Sequence, residues 1–420
     1  MLLVGIPVMF VTGLVSYAAY DPRFVGNDNT AQHGLLGFYL FNWITSPSWI
    51  YRVSQGTHVI LGLTLTPILL AKLWSVIPKL FELPPLRSVA QALDRLSLLL
   101  LVGGAGLEFV TGITNVEYYY PWKFDFYDAH FYGAWAFIAG FLIHVVAKLP
   151  TMVTALRSRS LRKELTTPLS MTVQEAPLPA RTRRGRSMAD GPLSVGSGYS
   201  SGLVAADPHA PTISRRGAIA LVLGASLTVF LTTAGETIRV LRPLALLAPR
   251  GRRLGKNPND FEVNITFASS KISPKLTGDA WRLEVRGRAR RTVKLSRAQL
   301  LAMHQTTAEL PISCVEGWST VQTWTGVRLS DLARLVKADE GSALFVESLE
   351  PPGTPYRSTT LAGNQAGNPL ALLALKVNGA DLAPDHGYPA RIIVPGAPGV
   401  HCTKWVSQLT FEAHPKLEAS

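Results

Sequence analysis

"CVEGWSTVQTWTGVRLSDLARLV" (residues 314–336) joins one of only two cysteines in a 420-residue chain to a run with the spacing of an amphipathic helix. That helix, Gly326–Val336, is expected to be capped by Ser330. Ahead of it, Cys314 lies between Pro311 and the tryptophans Trp318 and Trp324, with Glu316 two residues on. An isolated cysteine is ordinarily a small buried apolar side chain. Its meaning here depends on what surrounds it.

Working outward, residues 250–420 alternate short strands and turns. "WRLEVRGR" puts Trp281, Leu283 and Val285 on one face and Arg282, Glu284 and Arg286 on the other, a half-buried strand. Ser296 is placed to cap the short helix "SRAQLLAM", and "ARIIVPG" is a buried-strand run. The pattern is a mixed, strand-rich α+β domain. Cys314 and Cys402 allow at most one bridge, so this is no disulfide scaffold. Neither belongs to a C-x-x-C pair, which excludes thiolate zinc and iron–sulfur sites.

Residues 1–150 are of another kind. The 47% hydrophobic content and mean hydropathy of +0.19 average over two unlike halves. Five stretches reach the roughly 20 apolar residues that a membrane-spanning helix needs: about 1–19, 51–77, 94–114, 127–148 and 217–234. The first four suggest an antiparallel all-α four-helix transmembrane bundle. Lys72, Lys79, Arg87 and Arg95 mark one connection. Arg157, Arg159, Arg162, Lys163 and the arginines of 181–186 mark the 151–215 linker, whereas 20–50 and 114–127 carry one basic residue each. Positive-inside bias therefore puts the linker in the cytoplasm and the C-terminal domain outside, in a multi-pass plasma-membrane protein. The same bias accounts for most of the net charge of +13, so nucleic acid is not expected as a partner. Arg239, Arg242, Arg250, Arg252, Arg253 and Lys256 resist it, because they follow the fifth helix on the outer side.

The 151–215 linker is rich in Ser, Pro, Gly and Arg and reads as disordered. It ends in "TISRRGAIALVLGASL", which resembles a twin-arginine export signal opening a fifth transmembrane helix at 216–236. That route carries domains already folded around a cofactor.

Three of the nine histidines, His58, His130 and His144, fall within proposed spans, where ionisable side chains point to function. His130 and His144 are nearly four turns apart, on one face and about 21 Å along the axis. That separation suits one or two b-haems, each iron held by imidazoles above and below. His58 and His130 lie near the outer face and can face each other across a haem. Gly56, Gly62, Gly133 and Gly140 would let a macrocycle approach. His144 has no partner at the matching position, Lys72, and is expected to pair with a histidine upstream of Met1. This region resembles the four-helix, b-type haem cytochromes that pass electrons between quinone and a partner enzyme.

A second segment gives Cys314 its meaning: "KVNGADLAPDHGYPARIIVPGAPGVHCTKWVSQLTF", residues 376–411. With 314–336 it resembles the molybdopterin-binding domain of the sulfite oxidase family, over about 260–411, and is most similar to the periplasmic methionine sulfoxide reductase branch. The resemblance implies that Cys314 is the catalytic thiolate ligand of molybdenum. A soft, polarisable sulfur suits a metal that cycles between oxidation states. It further implies cofactor contacts from Asn264, His386 and Arg391, and from Lys404 with the backbone of Cys402 and Thr403. Cys402 reads as a pocket wall. Glu316, Trp318 and Trp324 fit either the substrate mouth or plain packing.

Sulfite oxidases carry arginine after the ligand cysteine and just before the asparagine position. Here those places hold "VEGWST" and Val263, which leans away from a dianion and towards a sulfoxide such as methionine sulfoxide, or an N-oxide. The expectation is a membrane-bound molybdenum oxidoreductase at 250–420, joined to the 1–150 cytochrome domain. It would exchange electrons between the quinone pool and an extracytoplasmic small-molecule or protein-bound substrate. Two alternatives stay open: oxidation of a sulfur compound, and a non-enzymatic electron carrier with a degenerate second domain.

Overall fold

The computed structural model describes residues 1–27, 41–80, 89–158, 160–171, 210–250, 255–287 and 291–412. The chain divides into two compact units. The first comprises Met1–Leu65, Glu108–Gly133 and Thr228–Ser420, and the second Thr66–Leu107 and Ala134–Leu227.

The apolar stretches form α1 (Leu2–Tyr20), α2 (Ile50–Leu80), α3 (Val89–Val116) and α4 (Phe126–Ser158). After the short α5 (Leu161–Thr166) comes α6 (Arg215–Thr233). Among the described residues, five helices are long and apolar enough to cross a membrane. Each is apolar around most of its circumference, and Leu99, Leu142, Val146 and Leu221 stay exposed. Such helices need an apolar surrounding to cover them. All of α1, the N-terminal parts of α2 and α4 and the C-terminal ends of α3 and α6 belong to the first unit, with the whole C-terminal region.

The linker is less irregular than expected. Helix α4 continues to Ser158, and Ser160 caps α5 by accepting from the amide of Lys163. Met152, Ala155, Leu156 and Arg157 are good helix formers, and extending an existing helix needs no new nucleus. The Ser/Gly-rich part, 172–209, lies outside the described residues. The arginine pair Arg215–Arg216 opens α6, with Ser214 Oγ accepting from the amide of Gly217 at 3.1 Å.

The C-terminal region is strand-rich. Its strands are β1 (Arg282–Arg286), β2 (Thr292–Ser296), β3 (Thr306–Ser313), β4 (Ser319–Arg328), β5 (Ala343–Ser348) and β6 (Ser358–Leu361). They continue as β7 (Leu372–Val377), β8 (Ala380–Asp381), β9 (Arg391–Ile393) and β10 (Val406–Glu412). One sheet runs β2-β1-β10-β5-β6; the other runs β3-β4-β7-β8, with β9 also on β7. Only the β1–β10 pair is parallel among these ladders. Leu283 and Val285 of β1 are fully buried with Leu344, Leu373, Ile392 and Leu409, as the alternation in β1 predicts.

Three short helices, α7 (Arg297–Ala302), α8 (Leu329–Leu335) and α9 (Gly363–Ala366), complete the region. Ser296 and Gln299 form a reciprocal capping box on α7. Helix α8 is capped differently from expectation. Strand β4 runs on to Arg328, which becomes the N-cap residue, so Ser330 falls inside the first turn.

Candidate functional site

Cys314 occupies the turn that closes the β3–β4 hairpin. Its amide donates to the carbonyl of Trp318 at 3.0 Å, and its carbonyl accepts from the amide of Gly317 at 3.1 Å. Gly317 has φ +102, a left-handed conformation that suits glycine. The segment before β10 approaches this turn closely: a Cβ on Gly399 would lie 2.9 Å from the carbonyl oxygen of Ser313. The same segment runs beside β9, the amide of Ile392 donating to the carbonyl of Thr403 at 2.9 Å. Cys314, Arg391, Cys402, Thr403 and Lys404 therefore converge on one cavity, which Asn264 also lines.

The cavity floor is cationic. Arg391 donates from Nε to the carbonyl of Cys402 at 3.2 Å and lies over the Trp324 ring at 5.6 Å. Lys404 donates to the carbonyls of Ile265 and Asp385. Burial pushes the Arg391 guanidinium down to about 10. Burial, with the neighbouring Arg391 charge, pushes Lys404 down to about 7. Among the described residues, neither side chain forms a salt bridge with a carboxylate.

His386 is placed differently from expectation. Its ring stacks on Phe261 with centroids 3.6 Å apart, and Nε2 is 2.8 Å from the carbonyl of Asn259. Burial first, then Arg391, lowers its pKa to about 4, so the neutral ring donates to that carbonyl. It does not line the cavity; its backbone carbonyl accepts from Arg391 instead. Trp324 is fully buried and donates to the carbonyl of Leu310 at 3.2 Å, while Trp318 donates to Glu316 at 3.0 Å. Both pack, and Glu316 alone of the three lines the cavity.

Sequence reasoning missed much of the wall. Tyr20 at the end of α1, Tyr118 and Tyr120 after α3, Tyr127 in α4, and Tyr356 all line the cavity. It also missed Arg250, whose Nε donates to Glu316 at 2.8 Å and whose Nη1 donates to the carbonyl of Val263 at 2.9 Å. A guanidinium thus reaches the place where arginine was found wanting, already paired with a carboxylate. Arg242 is paired likewise, with Glu262 at 2.6 Å. Two of the basic residues that resisted the positive-inside pattern are thus held by buried carboxylates.

His58 and His130 meet within the first unit, their ring centroids 6.2 Å apart and their planes at 78°. His58 Nδ1 donates to the carbonyl of Met9 at 2.9 Å and lies 3.2 Å from the Thr12 hydroxyl. His130 Nδ1 lies 3.0 Å from the Thr111 hydroxyl and 3.2 Å from the Glu108 carboxyl group. The hydrogen bonds of both rings run through Nδ1. A Cβ on Gly13 would lie 3.1 Å from His58 Cε1, and one on Gly112 3.7 Å from His130 Cε1. Of those expected there, Gly56 packs on Thr237, Gly62 on Met9 and Gly140 on α3. His144 lies further along α4, in the second unit.

Residues 270–419 match the model of the oxidoreductase molybdopterin binding domain. The C-terminal region is a molybdopterin-binding oxidoreductase domain. Over 148 residues, 32% of this chain and 47% of the relative, it is 30% identical to the catalytic subunit of a protein-methionine-sulfoxide reductase from Gluconobacter oxydans (strain 621H). Over 165 residues, 32% of this chain and 18% of the relative, it is 31% identical to the NAD(P)H nitrate reductase of Hordeum vulgare. Among solved structures, the sulfane dehydrogenase SoxCD of Paracoccus pantotrophus is similar with a TM-score of 0.30 and 23% identity, over 33% of this chain and 39% of that one. The chain spans about half the length of the methionine-sulfoxide reductase subunit it matches and less than a fifth of the nitrate reductase.

The cavity of the molybdopterin-binding domain suits an anionic, metal-bearing guest. Two buried cations satisfied only by carbonyls call for a negative partner. Thr403 Oγ1 is buried without a hydrogen-bond partner among the described residues, a donor left for a ligand. Among the described residues, no group of three His, Cys, Asp or Glu could hold a metal ion.

Proposed function

We propose that the chain is a membrane-bound reductase of S-oxides or N-oxides, supplied with electrons by a membrane hydroquinone. The balanced reaction is sulfoxide plus hydroquinone to thioether, water and quinone; the hydroquinone gives up two electrons and two protons. When bound, molybdenum would supply oxygen-atom chemistry and haem b single-electron transfer. Cys314 would hold the metal through its thiolate. Burial, then the nearby Glu316 charge, raises the thiol pKa, so binding must expel a proton. Arg391, Lys404 and Thr403 would hold the cofactor's phosphate and pterin, Arg391 through its fork of donors.

The observation that carries the electron route is the His58–His130 pair. His58 and His130, with ring centroids 6.2 Å apart, would be the two imidazoles that hold a haem iron. Tying Nδ1 to a carbonyl, hydroxyl or carboxyl leaves Nε2 as the coordinating atom and fixes the ring. The four helices α1–α4 would form the haem-bearing bundle, with the basic linker in the cytoplasm and Cys314 outside.

The test is a reduced-minus-oxidised optical spectrum with metal content on one full-length preparation from a host that makes both cofactors. The expected result is a b-haem spectrum lost in His58→Ala, and near-stoichiometric molybdenum lost in Cys314→Ser. A colourless wild type removes the haem route. A wild type free of molybdenum removes the enzyme.

A further inference from the structure

The tyrosines around Cys314 come largely from helix ends rather than from the molybdopterin-binding domain itself. Aromatic residues flanking a spanning helix ordinarily anchor it at the membrane interface. Within "EYYYPWKFDFY" (117–127) that account serves Tyr119, Trp122 and Phe124. Tyr119 is 63% exposed, Trp122 and Phe124 stack at 5.0 Å, and none of the three lines the cavity. Tyr118, Tyr120 and Tyr127 line it instead.

These rings are held in place. Tyr118, two residues past α3, has φ 55, in the left-handed region where glycine is favoured. Arg250 lies over its ring at 5.1 Å, and Arg250 is bonded in turn to Glu316. The Tyr120 hydroxyl donates to Asn115 Oδ1 at 2.8 Å, and Asn115 is buried. Tyr118 and Tyr120 pack edge to face at 5.7 Å, while Tyr20 and Tyr127 meet at 5.9 Å. Tyr118 and Tyr120 are 46% and 42% exposed and form the rim; Tyr20, 4% exposed, lies deep.

We infer that Tyr20, Tyr118, Tyr120 and Tyr127 complete the substrate site as an aromatic cage for small, methyl-bearing S-oxides and amine N-oxides, and that they exclude protein-bound methionine sulfoxide. The inference rests on the reductase reading. Methyl groups on a positively polarised sulfur or nitrogen are attracted to the negative faces of aromatic rings. Rings tethered at the rim favour a small guest over a polypeptide.

The experiment compares dimethyl sulfoxide, trimethylamine N-oxide and an oxidised, methionine-sulfoxide-containing casein as substrates of the full-length enzyme, with a reduced viologen as donor. Molybdenum content is measured in every sample. The wild type is expected to favour a small oxide over the casein at least tenfold in kcat/KM. Tyr118→Ala with Tyr120→Ala is expected to raise KM for that oxide at least tenfold with kcat nearly kept. The matching pair of Phe substitutions should keep KM within threefold, which separates ring loss from misfolding. Equal turnover of casein, or an unchanged KM in the Ala pair, overturns the cage and leaves the reductase standing. No turnover of any oxide at full molybdenum content overturns both.

Discussion

Gln55 of α2 donates its side-chain amide to the carbonyl of Val315 at 2.7 Å, so the helix that carries His58 is bonded to the turn that carries Cys314. Val59, next to His58, packs on the same turn: a Cβ on Gly317 would lie 2.6 Å from Val59 Cγ1. Thr237 donates its hydroxyl to the carbonyl of Gly317, and Arg52 donates to the carbonyl of Thr237 at 3.0 Å. The helix that carries His58 and the turn that carries Cys314 are thereby parts of one hydrogen-bonded frame.

Replacing Gln55 by Leu removes a buried donor and leaves the Val315 carbonyl unpaired. An unsatisfied buried group costs about 1–3 kcal/mol. The expected outcome is a matching loss of stability to urea in detergent. If the chain is the haem-linked reductase proposed above, reoxidation of its reduced pigment by substrate should slow, with haem and molybdenum contents unchanged. Wild-type stability and reoxidation in this variant would show that the contact couples nothing.

Arg250 and Glu316 form a second prediction. The Glu316 side chain is 3% exposed, and Arg250 supplies its salt bridge. Arg250→Gln strands a buried carboxylate, a change worth about 3–5 kcal/mol. Adding Glu316→Gln should recover much of that loss. A double-mutant cycle on urea midpoints measures the coupling. Strict additivity would mean that the pair is incidental.

Lys404→Met should separate stability from cofactor retention. Its ammonium is buried among carbonyls beside Arg391, and burial lowers its pKa to about 7. At pH 6 the side chain is charged, so deleting it relieves its repulsion from Arg391 but strands the carbonyls of Ile265 and Asp385, and the cofactor-free protein should lose no more than about 1–3 kcal/mol. The same change removes a charge-assisted bond to an anionic guest, and molybdenum retention should fall about tenfold or more. A cofactor-free protein that is several kcal/mol less stable would mark Lys404 as a purely structural residue.

The apolar lengths behind α1–α4 and α6, the alternation in β1 and the Ser296 cap were all legible because each is a local signal. The convergence of Cys314, Arg391 and Lys404 was legible only through resemblance, since nothing local says that the β3–β4 turn meets β9. Tyr118, Tyr120 and Tyr127 stayed hidden because an aromatic cluster beside a spanning helix has a ready interfacial explanation. Arg250 was concealed within a basic run, its sign counted but its partner unknown. His386 sat within a recognised motif, yet a motif does not fix which way a ring turns, and Phe261 claims its face. The helical part of 151–171 was lost by averaging its composition with the Ser/Gly-rich residues that follow.

His386 gives the pH dependence its sign. Burial and the Arg391 charge hold its folded pKa at about 4, against an ordinary value near 6.5. The unfolded chain therefore binds more protons than the folded one between those limits. Stability should be complete above pH 6.5 and fall as pH drops towards 4, by up to about 3 kcal/mol at roughly 1.4 kcal/mol per pKa unit. Protonation would put a charge on a ring stacked on Phe261 and beside Arg391, which opposes it. His386→Gln has no proton to bind there, so its stability should be lower at pH 7 and should fall less steeply across this window. Urea midpoints at pH 7, 6, 5 and 4 measure both slopes, and equal slopes would show that His386 does not titrate with folding.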